Sequence, residues 1–342
     1  MYDLGLGVFD EDGGDEEPQP DPVKQKKQRT WLRRSLLALS LVLALVVGVG
    51  AFYVVVGVNA LQGLKREPGL LPTDNPETSA PVLNEGPVDF VLIGTDSRGS
   101  DRGRSDTLMI AHLNTERNAL YLISFPRDMY VPIAGHGKNK INAAYSFGGA
   151  ALTVKTVQNL TGTKMDHTAI IDFPGFIGLT SDVGGVTVFN QVASSNLGYD
   201  FPRGDITIKG EQALAYVRQR YGLPGGDFDR AERQRIVVRA LILKLLKPST
   251  MANPATFNAV ATKIGADVTV DDQLTNEAIW NLATDTNISS AAQIRQLQVP
   301  IAGSGRVKGS DVLFANETQL AELSEAIRTD QLGAYWNKYG ED

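Results

Sequence analysis

Val88-Asp89-Phe90-Val91-Leu92-Ile93-Gly94-Thr95-Asp96-Ser97-Arg98 is the stretch that decides the fold. Its apolar run, Asp89–Ile93, is short, ends at Gly94 and passes straight into a loop of glycine and charge, the pattern of a buried strand. Thr107–Leu113 and Ala119–Phe125 read as two further strands joined by the polar turn Asn114-Thr115-Glu116-Arg117-Asn118, and Pro126 ends the second. Helical spacing appears at Ala150–Leu160 and stops before Gly162. A strand returns at His167–Phe173, with a short helix at Pro174–Leu179, and Gly184-Gly185 turns the chain into a strand at Val186–Phe189. Ile206–Ile208 is a strand, and Gly210-Glu211 opens a helix through Ala213–Val217. A long helix then runs to about Leu246, with Asp229 as its expected N-cap and Ile236, Val237, Ala240 and Leu243 on its apolar side. Strands interleaved with helices predict an α/β domain built on a mixed central sheet with flanking helices.

This domain is expected over residues 88–250. Beyond Pro248 the pattern continues with helices near 254–264 and 275–284, strands at Ile294–Pro300 and Val312–Ala315, and a helix at Thr318–Ile327. Residues 251–342 therefore read as the C-terminal part of the same outer region, packed on the same domain, with no internal repeat.

Upstream, the chain changes character. Residues 1–22 carry Asp3, Asp10, Glu11, Asp12, Asp15, Glu16, Glu17 and Asp21 with no basic side chain, broken by Gly13, Gly14, Pro18, Pro20 and Pro22. Lys24, Lys26, Lys27, Arg29, Arg33 and Arg34 follow without an acid between them. So little apolar surface predicts a disordered tail over 1–34. From Ser35 to Leu64 no residue is charged, and Leu36–Val58 as a helix spans about 35 Å, enough to cross a bilayer. We read 35–58 as a transmembrane helix. Six basic residues before it against Lys65 and Arg66 after it place the N-terminus in the cytoplasm and the main domain outside the cell. A cleaved signal peptide is the rival, with Val58-Asn59-Ala60 as a loose cleavage site, but the apolar run is too long and the tail too extended. Pro68, Pro72, Pro76, Pro81 and Pro87 make residues 59–87 an extracellular stalk.

Composition narrows the chemistry. The 342 residues give room for a substantial core, and 42% hydrophobic with 21% charged is ordinary for a folded protein. There is no cysteine, which excludes disulfides, a cysteine zinc site and a thiol nucleophile. His112, His136 and His167 lack metal-ligand spacing and read as structural or surface residues. No nucleophile elbow, Walker A loop or dinucleotide fingerprint is present. A nucleic-acid role would need the arginines in the cytoplasm, against the charge bias across the membrane segment.

Three stretches carry unusual chemistry. In the first, Asp96 and Asp106 flank a glycine-rich loop that also holds Arg98, Arg102 and Arg104. Two Asp carboxylates with open positions suit Mg²⁺ or Mn²⁺ shared with water and phosphate; the alternative is that both cap turns. In the second, Ser124-Phe125-Pro126-Arg127-Asp128, a strand-ending proline holds an arginine whose planar fork fits a phosphate, or which pairs with Asp128. The third runs from Ala215 to Arg239. Arg218 and Arg220 end one helix, and Gly222, Pro224, Gly225 and Gly226 make a loop. Arg230, Arg233, Gln234, Arg235 and Arg239 then lie on the next helix, where Arg230 and Gln234 share a face. If Arg218 and Arg220 serve one site, the backbone between them must be extended. Arginine without lysine favours oxyanion recognition; the other reading is a solvated basic face, above all for Arg233, Arg235 and Arg239.

Taken together these stretches resemble the LytR-CpsA-Psr family of envelope proteins over about residues 88–246. The resemblance rests on Gly94-Thr95-Asp96-Ser97-Arg98, Arg104-Ser105-Asp106-Thr107, Ser124-Phe125-Pro126-Arg127-Asp128 and Lys140-Ile141-Asn142-Ala143-Ala144-Tyr145. It continues in Gly184-Gly185-Val186, Gly210-Glu211-Gln212-Ala213-Leu214-Ala215-Tyr216-Val217-Arg218-Gln219-Arg220 and Gly226-Asp227-Phe228-Asp229-Arg230 through Arg233-Gln234. Phe125 stands where the family usually has an aliphatic residue. The resemblance implies a flanked sheet enclosing a hydrophobic lipid pocket, and transfer of a glycopolymer with one phosphate from a polyprenyl pyrophosphate carrier to peptidoglycan at the membrane. By the same likeness Asp96 and Asp106 would hold Mg²⁺ (or Mn²⁺), and Arg104, Arg127, Arg218, Arg220, Arg230 and Gln234 would surround the phosphates. Arg104 and Arg127 would be the catalytic pair. No residue stands out in the sequence as the base for the acceptor hydroxyl; Asp227 and Asp229 are the carboxylates nearby. Two other functions fit the same residues, a pyrophosphatase acting on the lipid-linked sugar and a non-catalytic lipid-binding regulator.

Overall fold

The computed structural model describes residues 63–73, 86–97, 103–246, 262 and 265–340. The tail at 1–34, the segment at 35–58, most of the stalk, Arg98, Arg102 and the expected helix near 254–264 lie outside these. Among the described residues no helix is long and apolar enough to cross a membrane.

The strands are β1 (Lys65–Glu67), β2 (Val88–Thr95), β3 (Ser105–Leu113), β4 (Leu120–Ser124) and the hairpin β5–β6 (Tyr130–Ile133, Gly137–Lys140). Helix α1 (Ala143–Thr161) leads to β7 (His167–Asp172) and α2 (Phe173–Asp182). Short strands β8 (Val186–Asn190), β9 (Ser194–Asn196), β10 (Tyr199–Phe201) and β11 (Gly204–Ile208) precede α3 (Gly210–Arg218) and α4 (Asp227–Leu245). The rest comprises β12 (Val268–Asp271), α5 (Asn276–Asp285), β13 (Ile294–Gln298), the hairpin β14–β15 (Ile301–Val307, Ser310–Ala315), α6 (Glu317–Arg328) and α7 (Leu332–Tyr339).

Seven strands form one sheet in the order β1-β12-β7-β2-β3-β4-β13. The pairs β1–β12, β7–β2 and β4–β13 are parallel and the others antiparallel, so the sheet is mixed. Period-two alternation in β2 decides its two faces. Val91 and Ile93 enter a core shared with Val154 and Val157 of α1 and Leu323 and Ile327 of α6. Phe90 and Leu92 face the other way, onto a layer containing Val238, Ile242 and Leu243 of α4. A third cluster joins α2, α3 and α4 to the β8–β11 region through Phe201, Tyr216 and Val237. C-terminal strands β12 and β13 sit at opposite sides of the sheet, so its full width needs residues beyond 250.

Two local expectations change. Helix α1 begins seven residues before Ala150, with a kink at Gly148 and at Gly149 (φ 66°, ψ −153°), so its first turns do not share the apolar spacing of the rest. Asp229 is not the N-cap of α4. The helix starts at Asp227 behind Gly226, whose φ of 56° suits glycine, and the Asp229 carboxylate instead accepts a bond from the Gly225 N–H at 2.7 Å. The hairpin β5–β6, strands β9, β10, β12 and β14 and helix α7 have no counterpart in the sequence-based expectation. The expected stalk at 59–87 is corrected in part: Lys65–Glu67 pairs with β12 at the edge of the sheet, and Leu70 and Leu71 are buried in the core.

Candidate active site

The antiparallel register of β2 and β3 slips by one residue where the strands run out. Gly94 faces Thr107 and Thr95 faces Ser105, leaving Asp106 as the bulged residue. Asp96 follows directly, so both carboxylates sit at the same end of the pair. The Asp96 Oδ1 accepts the Arg104 N–H at 2.6 Å, and the Asp96 N–H returns a bond to the Arg104 carbonyl at 3.3 Å. Gly103 completes this turn with φ 63°; a Cβ there would meet Asp96 Oδ1 at 2.4 Å. The Arg104 side chain is exposed.

Arg127 is carried by a segment pinned on both sides. The Phe125 N–H bonds Leu108 O at 2.9 Å, Met129 N–H closes on Pro126 O at 3.0 Å, and Leu313 N–H bonds Asp128 O at 2.9 Å. Its guanidinium donates through Nη1 to Asp106 Oδ1 at 2.9 Å, while Nε lies 3.6 Å from Asp227 Oδ1. Asp128 is farther, at 3.8 Å, and is held by Lys140 Nζ at 2.8 Å. The sequence alternative of an Arg127–Asp128 pair therefore yields to Asp106.

Asp227 is the hub of the arrangement. Besides Arg127, its Oδ1 lies 3.2 Å from Arg220 Nε and 3.0 Å from Arg230 Nη2. Guanidiniums from three separate segments thus converge on one carboxylate in the first turn of α4, beside the helix N-terminus. The backbone at Gln219 is extended (φ −64°, ψ 132°), which lets Arg218 and Arg220 leave the end of α3 in different directions. Arg220 joins the cluster; Arg218 is exposed, with its guanidinium 4.4 Å above the Phe173 ring. Burial, together with the neighbouring Arg127 charge, lowers the Arg230 pKa to about 10 against the opposing pull of Asp227; it remains a cation at neutral pH. Gln234 is buried, and its Nε2 donates to the Asp106 carbonyl at 3.4 Å and the Val217 carbonyl at 3.3 Å, tying the β3 bulge to the end of α3.

The remaining arginines of α4 are not a solvated face. Arg233 is buried, donating to Gln219 Oε1 at 2.7 Å, Asn190 Oδ1 at 3.0 Å and Ser194 Oγ at 2.9 Å, with its Cζ 4.2 Å over Tyr216. Arg235 donates to Ser124 Oγ and Arg239 to Ala291 O at 2.5 Å. These are cross-ties between α4 and its neighbours. Sequence reading missed this because the Asn190 and Ser194 acceptors of Arg233 lie 43 and 39 positions away in the chain. Asp227 as a hub had one visible signal, its position three residues before Arg230 on a helix.

Among the described residues no group of three or more His, Asp or Glu side chains is placed to hold a metal ion. Asp96 and Asp106 are joined near the bulge by Ser105, whose hydroxyl is buried and, among the described residues, has no hydrogen-bond partner.

Known proteins resemble this chain in sequence and in fold. The profile of the LytR_cpsA_psr family matches residues 61–329. The polyisoprenyl-teichoic acid–peptidoglycan teichoic acid transferase TagU of Bacillus cereus is 32% identical over 269 residues, 78% of this chain and 85% of its own. TagU of Bacillus subtilis is 29% identical over 308 residues, 89% of this chain and 97% of its own. Among solved structures, B. subtilis TagV superposes with a TM-score of 0.63 at 28% identity, covering 72% of this chain and 98% of TagV. The chain belongs to the LytR-CpsA-Psr family.

Proposed function

We propose that the protein transfers a glycopolymer, with one phosphate, from a polyprenyl pyrophosphate carrier to peptidoglycan during cell-wall assembly. One observation carries the reading: Arg127, Arg220 and Arg230 arrive from three segments within 3.6 Å of a single Asp227 oxygen, beside Asp106. Three guanidiniums around one carboxylate leave an excess of positive charge, and a diphosphate is the dense anion that such an excess fits. The relatives whose names specify transfer of teichoic acid between a polyisoprenyl carrier and peptidoglycan support the same reaction.

The bond changes follow from charge. An acceptor sugar hydroxyl attacks the phosphorus that bears the glycopolymer, the bridging P–O bond breaks, and polyprenyl monophosphate leaves with the electron pair. Arg127 and Arg230 neutralise the oxygens on which charge grows, and Arg104 and Arg220 reach the phosphates from the exposed side. Arg218 adds a cation at the rim and Gln234 sets the bulge that aims Asp106. Asp227, at the centre of the cluster, holds the three guanidiniums together, and Asp227 and Asp229 are the two carboxylates close enough to be considered for the acceptor proton.

Asp96 and Asp106 would hold Mg²⁺ (or Mn²⁺). The donor set fits: each carboxylate uses Oδ1 for a protein bond and keeps a second oxygen, and the unpartnered Ser105 hydroxyl lies beside them. When bound, the ion neutralises phosphate charge.

In this reading the chain is held at the membrane. Residues 35–58 anchor the chain with its N-terminus in the cytoplasm, and Leu64, which follows them in sequence, packs against the cluster of Val270, Leu274 and Ala278. Phe90, Leu92, Val238 and Ile242 between sheet and α4 are only partly buried. That seam is where an isoprenoid tail would enter.

Full-length protein in detergent, incubated with lipid-linked pyrophosphoryl glycopolymer, peptidoglycan strands and Mg²⁺, should give a phosphodiester adduct by mass spectrometry. Release of the sugar phosphate to water alone would make it a pyrophosphatase, and no turnover at all would leave a lipid-binding regulator.

A further inference from the structure

Helix α4 has two working faces. Arg230, Gln234 and Val237 turn inward, while Phe228, Glu232, Arg235, Ile236 and Leu243 line a cavity of about 1200 Å³ on the outer side. Its other walls are β8, the run Gln296–Ser304 and the Tyr335 and Tyr339 rings of α7. We infer that this groove binds the acceptor glycan of peptidoglycan, an inference that rests on the transfer reaction proposed above.

Three observations carry it. The groove shares a wall with the segment that carries Arg127: Val299 N–H bonds Ser124 O at 2.9 Å, Leu313 N–H bonds Asp128 O at 2.9 Å, and Arg235 bonds Ser124 Oγ. Next, alternation along β8 buries Val186, Val188 and Asn190 and turns the Phe189 ring outward, 55% exposed, into the groove wall. Finally, the walls interleave aromatic rings with the amides of Gln191, Gln296 and Gln298, the carboxylate of Glu232 and the guanidinium of Arg239. An isoprenoid tail calls for continuous apolar walls. A pyranose chain offers an apolar ring face to an aromatic side chain and hydroxyl and acetamido groups to amides, and its peptide stems bring carboxylates to arginine.

The test uses the full chain with lipid-linked donor, Mg²⁺ and soluble uncrosslinked peptidoglycan strands. Phe189→Ala should raise the KM for strands about tenfold while the donor KM and the kcat at saturating strands hold, and Phe189→Tyr should restore it. In Phe189→Trp, strands and not polyprenyl phosphate should change the indole emission. An unchanged strand KM, a raised donor KM, or emission that answers polyprenyl phosphate alone overturns the groove assignment. Absence of transfer by the unmodified protein sinks the reaction itself, a separate failure.

Discussion

The strand pair β2–β3 carries aspartate at both ends, roughly 23 Å apart at strand spacing, and the two ends manage charge in opposite ways. At one end Asp89 stands opposite His112 in the register. The imidazole is completely buried, with Nδ1 2.8 Å from Asp89 Oδ1 and Nε2 3.0 Å from Asp330 Oδ1. Asp330 also accepts the Thr115 N–H at 2.9 Å, and the Asp89 N–H donates to Asp166 Oδ2 at 2.9 Å. Both ring nitrogens of His112 and the Asp89 and Thr115 N–H groups thus each meet a carboxylate from another element. At the other end Asp96 and Asp106 adjoin arginines, some of them open to solvent, that crowd one carboxylate. The closed end resembles a lock between β2, β3 and the α6–α7 corner, and the open end resembles a socket. A satisfied buried network resists change; an unbalanced, solvent-reachable one recruits a ligand.

The largest effect should come from unlocking the closed end. His112→Ala leaves the Asp89 and Asp330 carboxylates facing an empty site, which is expected to cost about 3–5 kcal/mol. Urea unfolding should show that loss, while the folded fraction keeps its kcat/KM. A large kinetic defect in correctly folded His112→Ala would mean the two ends are coupled through β2 and β3.

Arg127→Ala tests the open end in reverse. Removing the fork that spans Asp106 and Asp227 should lower kcat/KM by about a hundred- to a thousandfold with the unfolding midpoint nearly unchanged. Arg127→Lys should recover little, because a single ammonium does not replace a planar guanidinium between two oxyanions. Loss of stability in place of activity would turn the socket into a second lock.

The open end was largely legible in the sequence, because glycine, proline and arginine mark it locally. Gly94 and Gly103 bracket the loop, and Pro126 fixes the arginine that follows. Strands β2, β3 and β4 were readable for the same reason, each an apolar run bounded by turn chemistry. The closed end was not. His112 is one polar residue in an apolar strand, and its partner Asp330 lies 218 positions away, which no local period reports. Arg233 was misread on the same ground: its acceptors at Asn190 and Ser194 lie 43 and 39 positions away. The start of α4 was misplaced because a left-handed glycine, Gly226, ends the preceding loop where a side-chain cap was expected.

A smaller effect separates the ends by pH. Burial alone would lower the His112 pKa, but its bonds to Asp330 and Asp89 raise it to about 9 from an ordinary 6.5. A pKa raised by folding stabilises fully below 6.5, and that stabilisation fades as pH climbs towards 9. The loss should be at most about 3 kcal/mol. On the acid side Asp330 acts in the opposite sense. Burial pushes it up, yet the bonds from His112 and Thr115 hold it below its usual value, so its contribution fades as pH falls. The urea midpoint should therefore drop between pH 6.5 and 9, and His112→Gln should flatten that slope. A slope that survives in His112→Gln would move the titrating group elsewhere.

The smallest effect lies at the rim of the socket and asks how far it extends. Arg218 is exposed, stacked 4.4 Å over Phe173, and among the described residues pairs with no carboxylate. Its charge is already partly met by the ring, and water screens what remains. It should therefore help to hold the donor without sharpening the transition state. Arg218→Ala should raise the donor KM by about tenfold with kcat intact, and Phe173→Leu, which frees the guanidinium from its ring, should raise it by less. A kcat that collapses in Arg218→Ala as in Arg127→Ala would place Arg218 on the reacting phosphate. The socket would then reach beyond the three guanidiniums around Asp227, with the Phe173 stack as a resting position that the donor pulls apart.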